Sequence, residues 1–282
     1  MIPEWRYNAM YTQDTEYKII FEIKEQNIEF DNLDIDFYIK KNCKLEPDKA
    51  YLKIWNLDTG LYKMLLNSSS IINLYIKTNS GERIKFFSGC IESETVKRIN
   101  ISAGLYKNIP DMCTCLRLID SAQAYTKAYI NRDYREEVSS ERIILDCVEA
   151  MGLAFLNTGG YFPRKTYETF KAKGKPHNIL RTVCEDIGIK LFIQNDIVRV
   201  SSGLDFSNIG WLTEFNYNNC SVPQEQGLSE ITFYTKSLSE CNPGDIVKCS
   251  FDELSGLYVL TETAFSGNNY DKKCVTKITI EV

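Results

Sequence analysis

Histidine is almost absent from this 282-residue chain, which has one, His177. That excludes any metal site needing two or more histidines from the same chain. A long apolar run is also missing, and nothing approaches the ~20 residues that a helix needs to cross a bilayer. The opening Met1-Ile-Pro-Glu-Trp-Arg lacks the basic-then-apolar order of a signal peptide. The expectation is a soluble chain made in the cytosol, with no membrane partner. Excess positive charge is missing too. Lys and Arg number 33 against 38 Asp and Glu, and the net charge of −5 argues against a protein that coats nucleic acid. No Walker A loop, GxGxxG fingerprint, HExxH, EF-hand loop or Gly-x-Ser-x-Gly elbow occurs. Gly159-Gly160 has no Lys-Ser/Thr behind it, so it is not a phosphate cradle. No catalytic, cofactor-binding or metal-binding residue is assigned, and the chain is read as a non-enzyme without a cofactor.

What is present is ordinary globular composition, 44% hydrophobic and 25% charged, long enough for about two domains and a sizeable core. The ten cysteines are expected to be reduced. Cys43, Cys90, Cys147, Cys184, Cys249 and Cys274 sit singly in or beside apolar or alternating stretches, where a thiol packs as a small hydrophobe. Cys220 and Cys241 are isolated in less regular surroundings. Cys113 and Cys115 form a C-x-C pair that a strand would aim to one face, able to share a metal or form a strained disulfide. No CxxC and no second close pair accompany them, so plain packing outweighs a metal. His177, in Lys175-Pro-His-Asn, is read as a polar residue in the first turn of a helix rather than as a general base. The carboxylate pairs Asp34/Asp36 and Glu92/Glu94 have the spacing for shared work on a strand face, but their core-facing neighbours favour a solvent-facing strand. The charged run Arg132-Asp-Tyr-Arg-Glu-Glu reads as a solvated loop or face.

The period of the pattern divides the chain into β, then α/β, then β. Residues 16–23 and 33–40 read as strands, the second alternating Leu33, Ile35, Phe37 and Ile39 against Asp34, Asp36, Tyr38 and Lys40. Residues 51–57 form another strand, followed by a short helix at 61–66. Residues 71–77 and 83–91 form a hairpin, with Gly89 marking a bulge. In the middle, residues 139–151 are a Ser-capped helix stopped at Gly152, and 176–187 repeat the design and stop at Gly188. Ile143-Ile144 align with Ile179-Leu180, and Gly152-Leu153 with Gly188-Ile189, a helix-Gly-strand unit used twice. The second unit ends in a hairpin of 190–194 and 197–201 turned at Asn195-Asp196. Strands return at 231–238, 245–251, 257–263 and 274–282, with turns at Pro243-Gly244-Asp245 and Ser255-Gly256. The expected fold is α+β and mostly β. Two antiparallel β-barrel-like domains, 1–108 and 204–282, flank an α/β insert at 109–203.

Three ordered stretches resemble the central baseplate hub proteins of contractile phage tails and tail-like particles, the late control protein D group, which are related to the base of type VI secretion spikes. Ala50–Asp58 (AYLKIWNLD) with Phe87-Ser-Gly-Cys-Ile resembles their early strands. Asn178–Gly188 followed by Asp196-Ile-Val-Arg-Val is similar to their helix and hairpin. Asn242-Pro-Gly-Asp-Ile-Val, Ser255-Gly-Leu-Tyr-Val-Leu and Phe265-Ser-Gly-Asn resemble the closing pattern, with Phe265 where that family often has His and Asn268 where it often has Asp. The resemblance implies two tube-like β domains per subunit and a homotrimer forming a pseudo-hexameric ring. That ring would adapt a hexameric tail tube to a trimeric central spike among other baseplate proteins. It implies synthesis in the bacterial cytoplasm and incorporation into a phage, bacteriocin or secretion-type particle. The residues that match are structural: Gly89, Pro243, Gly244, Gly256 and Gly267, which shape turns or bulges. Two other readings stand beside it. One is a tail-tip carbohydrate or host-recognition module using the aromatic residues. The other is a hub-associated cell-wall hydrolase, for which the family-like stretches leave no catalytic domain.

Overall fold

A computed structural model describes residues 17–23, 28–30, 33–67, 71–78, 83–92, 96–101, 111–157, 164–201, 213–226, 229–235, 242–268 and 273–282. The elements in the first part are β1 (Tyr17–Ile23), β2 (Ile28–Phe30), β3 (Asp34–Asn42), β4 (Lys49–Trp55), α1 (Thr59–Asn67), β5 (Ile71–Thr78), β6 (Arg83–Ile91), β7 (Lys97–Ile101) and β8 (Asp111–Ile119). The middle holds α2 (Ala122–Thr126), β9 (Ile130–Tyr134), β10 (Val138–Ser139), α3 (Ser140–Met151), β11 (Ala154–Asn157), β12 (Thr166–Tyr167), β13 (Phe170–Gly174), α4 (Pro176–Ile187), β14 (Lys190–Gln194) and β15 (Ile197–Ser201). The last part holds β16 (Thr213–Asn216), β17 (Gln224–Glu225), β18 (Glu230–Thr235), β19 (Ile246–Ser250), β20 (Ser255–Asn268) and β21 (Lys273–Glu281). Among the described residues no helix is long and apolar enough to cross a membrane.

The first and last parts share one 14-stranded sheet, whose path runs β17-β18-β21-β20-β3-β4-β8-β6-β5-β1-β2, with β7 on β8 and β16-β19 on β20. The path is open and closes into no barrel among the described residues. The fold is α+β, mostly β and largely antiparallel, as expected. In place of two separate barrels, a seam joins opening and closing strands: β20 pairs antiparallel with β3 from Glu262↔Asn42 to Asn268↔Asp36. β8 falls within the expected insert at 109–203, yet it lies between β4 and β6 in the large sheet. Its run Asp-Met-Cys-Thr-Cys-Leu-Arg-Leu-Ile alternates, with Leu116 and Leu118 buried.

Alternation explains the seam. β3 buries every second residue, and β4 does the same against it. β20 is long enough to serve two cores, and its register with β21 shifts between Leu260 and Glu262. The extra residue, Thr261, reverses the parity, so that Leu260 and Phe265, an odd number apart, both face inward. Leu260 enters the core built by Phe215, Phe233, Val247, Ile278 and Ile280. Phe265, beyond the bulge, enters the core built by Ile35, Phe37, Leu52, Leu74 and Phe87. The expected strand at 257–263 is thus one part of a 14-residue strand.

A third core, around Ile143, Ile144, Cys147, Leu180, Val183 and Val198, belongs to the middle part and also takes in Leu45 from the β3–β4 loop. The duplicated unit is present. The Ser139 hydroxyl accepts the Arg142 N–H at 3.2 Å, and Gly152 ends α3 at φ 68°. Pro176 opens α4, and Gly188 ends it at φ 71°. β9 pairs antiparallel with β13, and β15 lies between β14 and β11.

Candidate functional site at the junction of the three cores

Lys41 comes fifth on the inward side of β3 counting from Leu33, carried inside by the same alternation that buries Ile35, Phe37 and Ile39. Only 4% of it is exposed. Its ammonium donates to Asn242 Oδ1 at 3.1 Å and stands 5.6 Å from the centre of the Phe265 ring. Burial holds this amine below the ordinary lysine range, against the pull of Asp48, Asp120 and Asp245.

Two acids face it from the same part of the chain. Asp48, fully buried on the β3–β4 loop, accepts the Asn42 N–H at 3.0 Å, and its carbonyl accepts the Asp120 N–H at 3.0 Å. Burial, then the neighbouring Asp120, push its carboxyl well above the usual range. Asp120 ends β8, and burial pushes it up to about 6. Its Oδ2 accepts the Asn195 N–H at 2.9 Å. Ser121 Oγ sits 3.0 Å from Asp120 Oδ1 and 2.8 Å from Asp196 Oδ1, with one proton to give to either.

The middle part enters through the β14–β15 turn. Asn195 and Asp196 have φ of 51° and 63°, the left-handed pair that a tight two-residue hairpin requires. Gln194, just before the turn, donates to Asn242 Oδ1 at 3.3 Å. The last part enters through Asn242-Pro243-Gly244-Asp245. The Asp245 N–H donates to the Asn242 carbonyl at 3.0 Å, and Asp245 Oδ2 accepts the Asn242 N–H at 2.7 Å. Proline second and glycine third, the latter at φ 90°, make this a type II turn. Gly244 also has no room for a side chain, since a Cβ there would lie 2.4 Å from the Phe192 ring of β14. Asn242 Oδ1 thus accepts one hydrogen bond from each of the other two parts. The arrangement aligns three bodies and buries charge between them.

The other sequence-derived residues fall elsewhere. Gly89 lies on β6 against β8, where a Cβ would meet the Ile119 carbonyl oxygen at 2.8 Å. The β5–β6 register shift is displaced from it, between Leu74 and Tyr75, so Gly89 permits a close approach and not a bulge. Gly256, at φ 148°, is the second residue of β20, and the reversal before it runs through 251–254. Gly267 lies inside β20, in register with Phe37 and Cys274, and shapes no turn itself. Pro243 is buried in the junction turn.

His177 sits in the first turn of α4, 5.3 Å from the Tyr125 ring, and burial lowers its pKa. Nine of the ten cysteines are described, and all nine are free. Cys241 and Glu94 lie outside the described residues. Asp36 accepts the Trp55 indole N–H at 3.1 Å on the outer face of β3. The run at 132–137, expected as a solvated loop or face, is in part β9 and is exposed at every position but the half-buried Tyr134. Its Arg132 grips the buried Asp146 at 2.5 Å, and Tyr134 donates to the same carboxylate at 2.6 Å.

Asn242, Lys41, Asp48 and Asp120 were not singled out by sequence reasoning. Lys41 carries a legible signal, a cation at an inward position of an alternating strand. Asp48 and Asp120 carry none, because their burial depends on parts of the chain far apart.

No family model matches the chain, and no curated protein does. Solved structures do. The 43 kDa tail protein of prophage MuSo2 from Shewanella oneidensis aligns over 94% of this chain and 98% of its own, with a TM-score of 0.65 and 9% identity. A tail protein from Neisseria meningitidis MC58 aligns over 94% and 96%, with a TM-score of 0.62 and 10% identity. A component of the Escherichia coli type VI secretion system, described as similar to the bacteriophage T4 tail proteins gp27 and gp5, aligns over 88% and 73%, with a TM-score of 0.56 and 11% identity. At such identities the likeness is one of fold, and the fold of this chain is that of these tail and secretion proteins.

Proposed function

We propose that the chain is a structural baseplate hub protein of a phage tail or tail-like contractile particle. Three copies form a pseudo-hexameric ring that adapts a hexameric tail tube to a trimeric central spike. The observation that carries this reading is the β20–β3 seam. Two β units with separate cores are joined inside one chain by strand pairing, the contact that repeats between subunits when a ring of β units closes. Two units per chain and three chains give six, and ring closure would cover sheet edges otherwise open to wrong pairing. Among the described residues the two units run from Tyr17 to Ile119 and from Thr213 onward, with the middle part between them as the insert. Gly89, Pro243, Gly244, Gly256 and Gly267 serve as fold-shaping positions in this reading, not as ligand contacts. The match in fold to tail proteins over 94% of the chain supports it.

The test is the mass of the purified chain in solution, followed by electron microscopy of the particle. The proposal expects a trimer, or a monomer that becomes three copies per ring in the presence of tube protein. A persistent monomer that binds glycans or clears cell walls in a zymogram would overturn it.

A further inference from the structure

The C-x-C pair lies on β8, on the sheet face opposite the first core. Its sulfurs are 4.0 Å apart. A metal–sulfur bond of about 2.3 Å places two thiolates about 3.8 Å apart at a tetrahedral angle and about 4.6 Å apart in line. The observed separation falls between the two, so small side-chain rotations reach either. The strand holds the pair in this arrangement because residues two apart share a face.

The neighbours fix the class of ion. Cys115, half-buried, stands in register with Lys53 on β4 and Lys97 on β7. Cys113, buried, stands in register with Trp55 and Ile99 on the same two strands. Among the described residues no group of three His, Cys, Asp or Glu converges here or elsewhere. Zinc asks for four ligands, whereas soft thiophilic ions are selected by thiolates and accept fewer. Two thiolates around a monovalent ion leave one net negative charge, and Lys53 and Lys97 stand in register with Cys115 on the two neighbouring strands, the Lys53 charge acting on Cys113. Asp36, in register with Lys53, is engaged by the Trp55 indole.

We propose that Cys113 and Cys115 form a two-thiolate site for a soft monovalent d10 cation, of which copper(I) and silver(I) are the chemical type. Each thiol gives up its proton to solvent as the metal–sulfur bond forms, and no electron is transferred. Because both thiols must lose their protons, binding strengthens as pH rises.

The experiment uses the full chain, reduced and kept anaerobic, titrated with copper(I) against a chromogenic copper(I) chelator. The expected result is one copper(I) retained per chain, with Trp55 fluorescence quenched. Cys113→Ser and Cys115→Ser should each weaken binding at least tenfold without changing the melting temperature. Cys43→Ser, which removes a half-buried thiol elsewhere, should leave binding unchanged. If Cys43→Ser weakens binding as much as Cys115→Ser does, or if the Cys113→Ser/Cys115→Ser double variant still holds one copper(I), the proposal is overturned. Oligomeric state is untouched by these changes, so failure here is separable from failure of the hub reading.

Discussion

Replacing Asp120 with asparagine removes one buried negative charge from the junction and keeps the shape of the side chain. The folded-state pKa stands near 6 against 3.8 for the free group, with burial as the main cause. A raised carboxyl contributes stability that is fully present below pH 3.8 and lost as pH rises through about 6. At about 1.36 kcal/mol per unit, the whole shift is worth about 3 kcal/mol. About 2 kcal/mol of that falls between pH 4.5 and 7.5. Asn at this position can still accept the Asn195 N–H through its carbonyl oxygen, the bond that ties β8 to the β14–β15 turn. Asp120→Asn should therefore gain on the parent protein by about 2 kcal/mol between pH 4.5 and 7.5. The assay is urea unfolding at several pH values in that window, read by tryptophan fluorescence and by far-ultraviolet circular dichroism together. Asp245 titrates in both proteins, and the difference reads Asp120 together with the relief of its push on Asp48. A stability difference that stays flat across the window would refute the assignment of a buried charge to this residue.

Gly244→Ala should destabilise by about 2 kcal/mol or more, because the turn needs a positive φ and Phe192 fills the space a methyl would take. A melting curve identical to the parent's would count against the junction geometry. Ser139→Ala removes the α3 cap and should cost about 1 kcal/mol, measured by the same unfolding assay. Thiol titration of the unfolded, unreduced chain should find nearly all ten cysteines reactive, and a large shortfall would show disulfides. His177→Ala should leave particle assembly intact, and loss of assembly would give the histidine a role that its packing against Tyr125 does not provide.

Local signals placed most of the expected elements within one or two residues. The alternation of β3, the Ser139 cap, the glycine stops of both helices and the Asn195-Asp196 turn are decisions the chain makes over a few neighbours. What stayed hidden depends on partners far along the chain. Thr261 reads as one more strand residue, yet as a bulge it turns both Leu260 and Phe265 to the buried side of β20. β8 read as part of the middle because the helical period that follows it set the boundary at 109, while its alternating leucines mark a sheet strand. The junction was hidden for the same reason: Asp48, Asp120 and Asn242 are unremarkable in their own segments and meet only when three separate cores close.

The seam also orders events in time. Cys43 Sγ meets the Leu260 carbonyl across 217 positions of chain, so β3 leaves the ribosome long before its partner exists. Until β20 arrives, β3 shows an unpaired edge beside Ile35, Phe37 and Ile39, the kind of surface that recruits a neighbouring chain. A nascent subunit is therefore most vulnerable to mispairing just before β20 is made, and that strand acts as the clasp that ends that exposure.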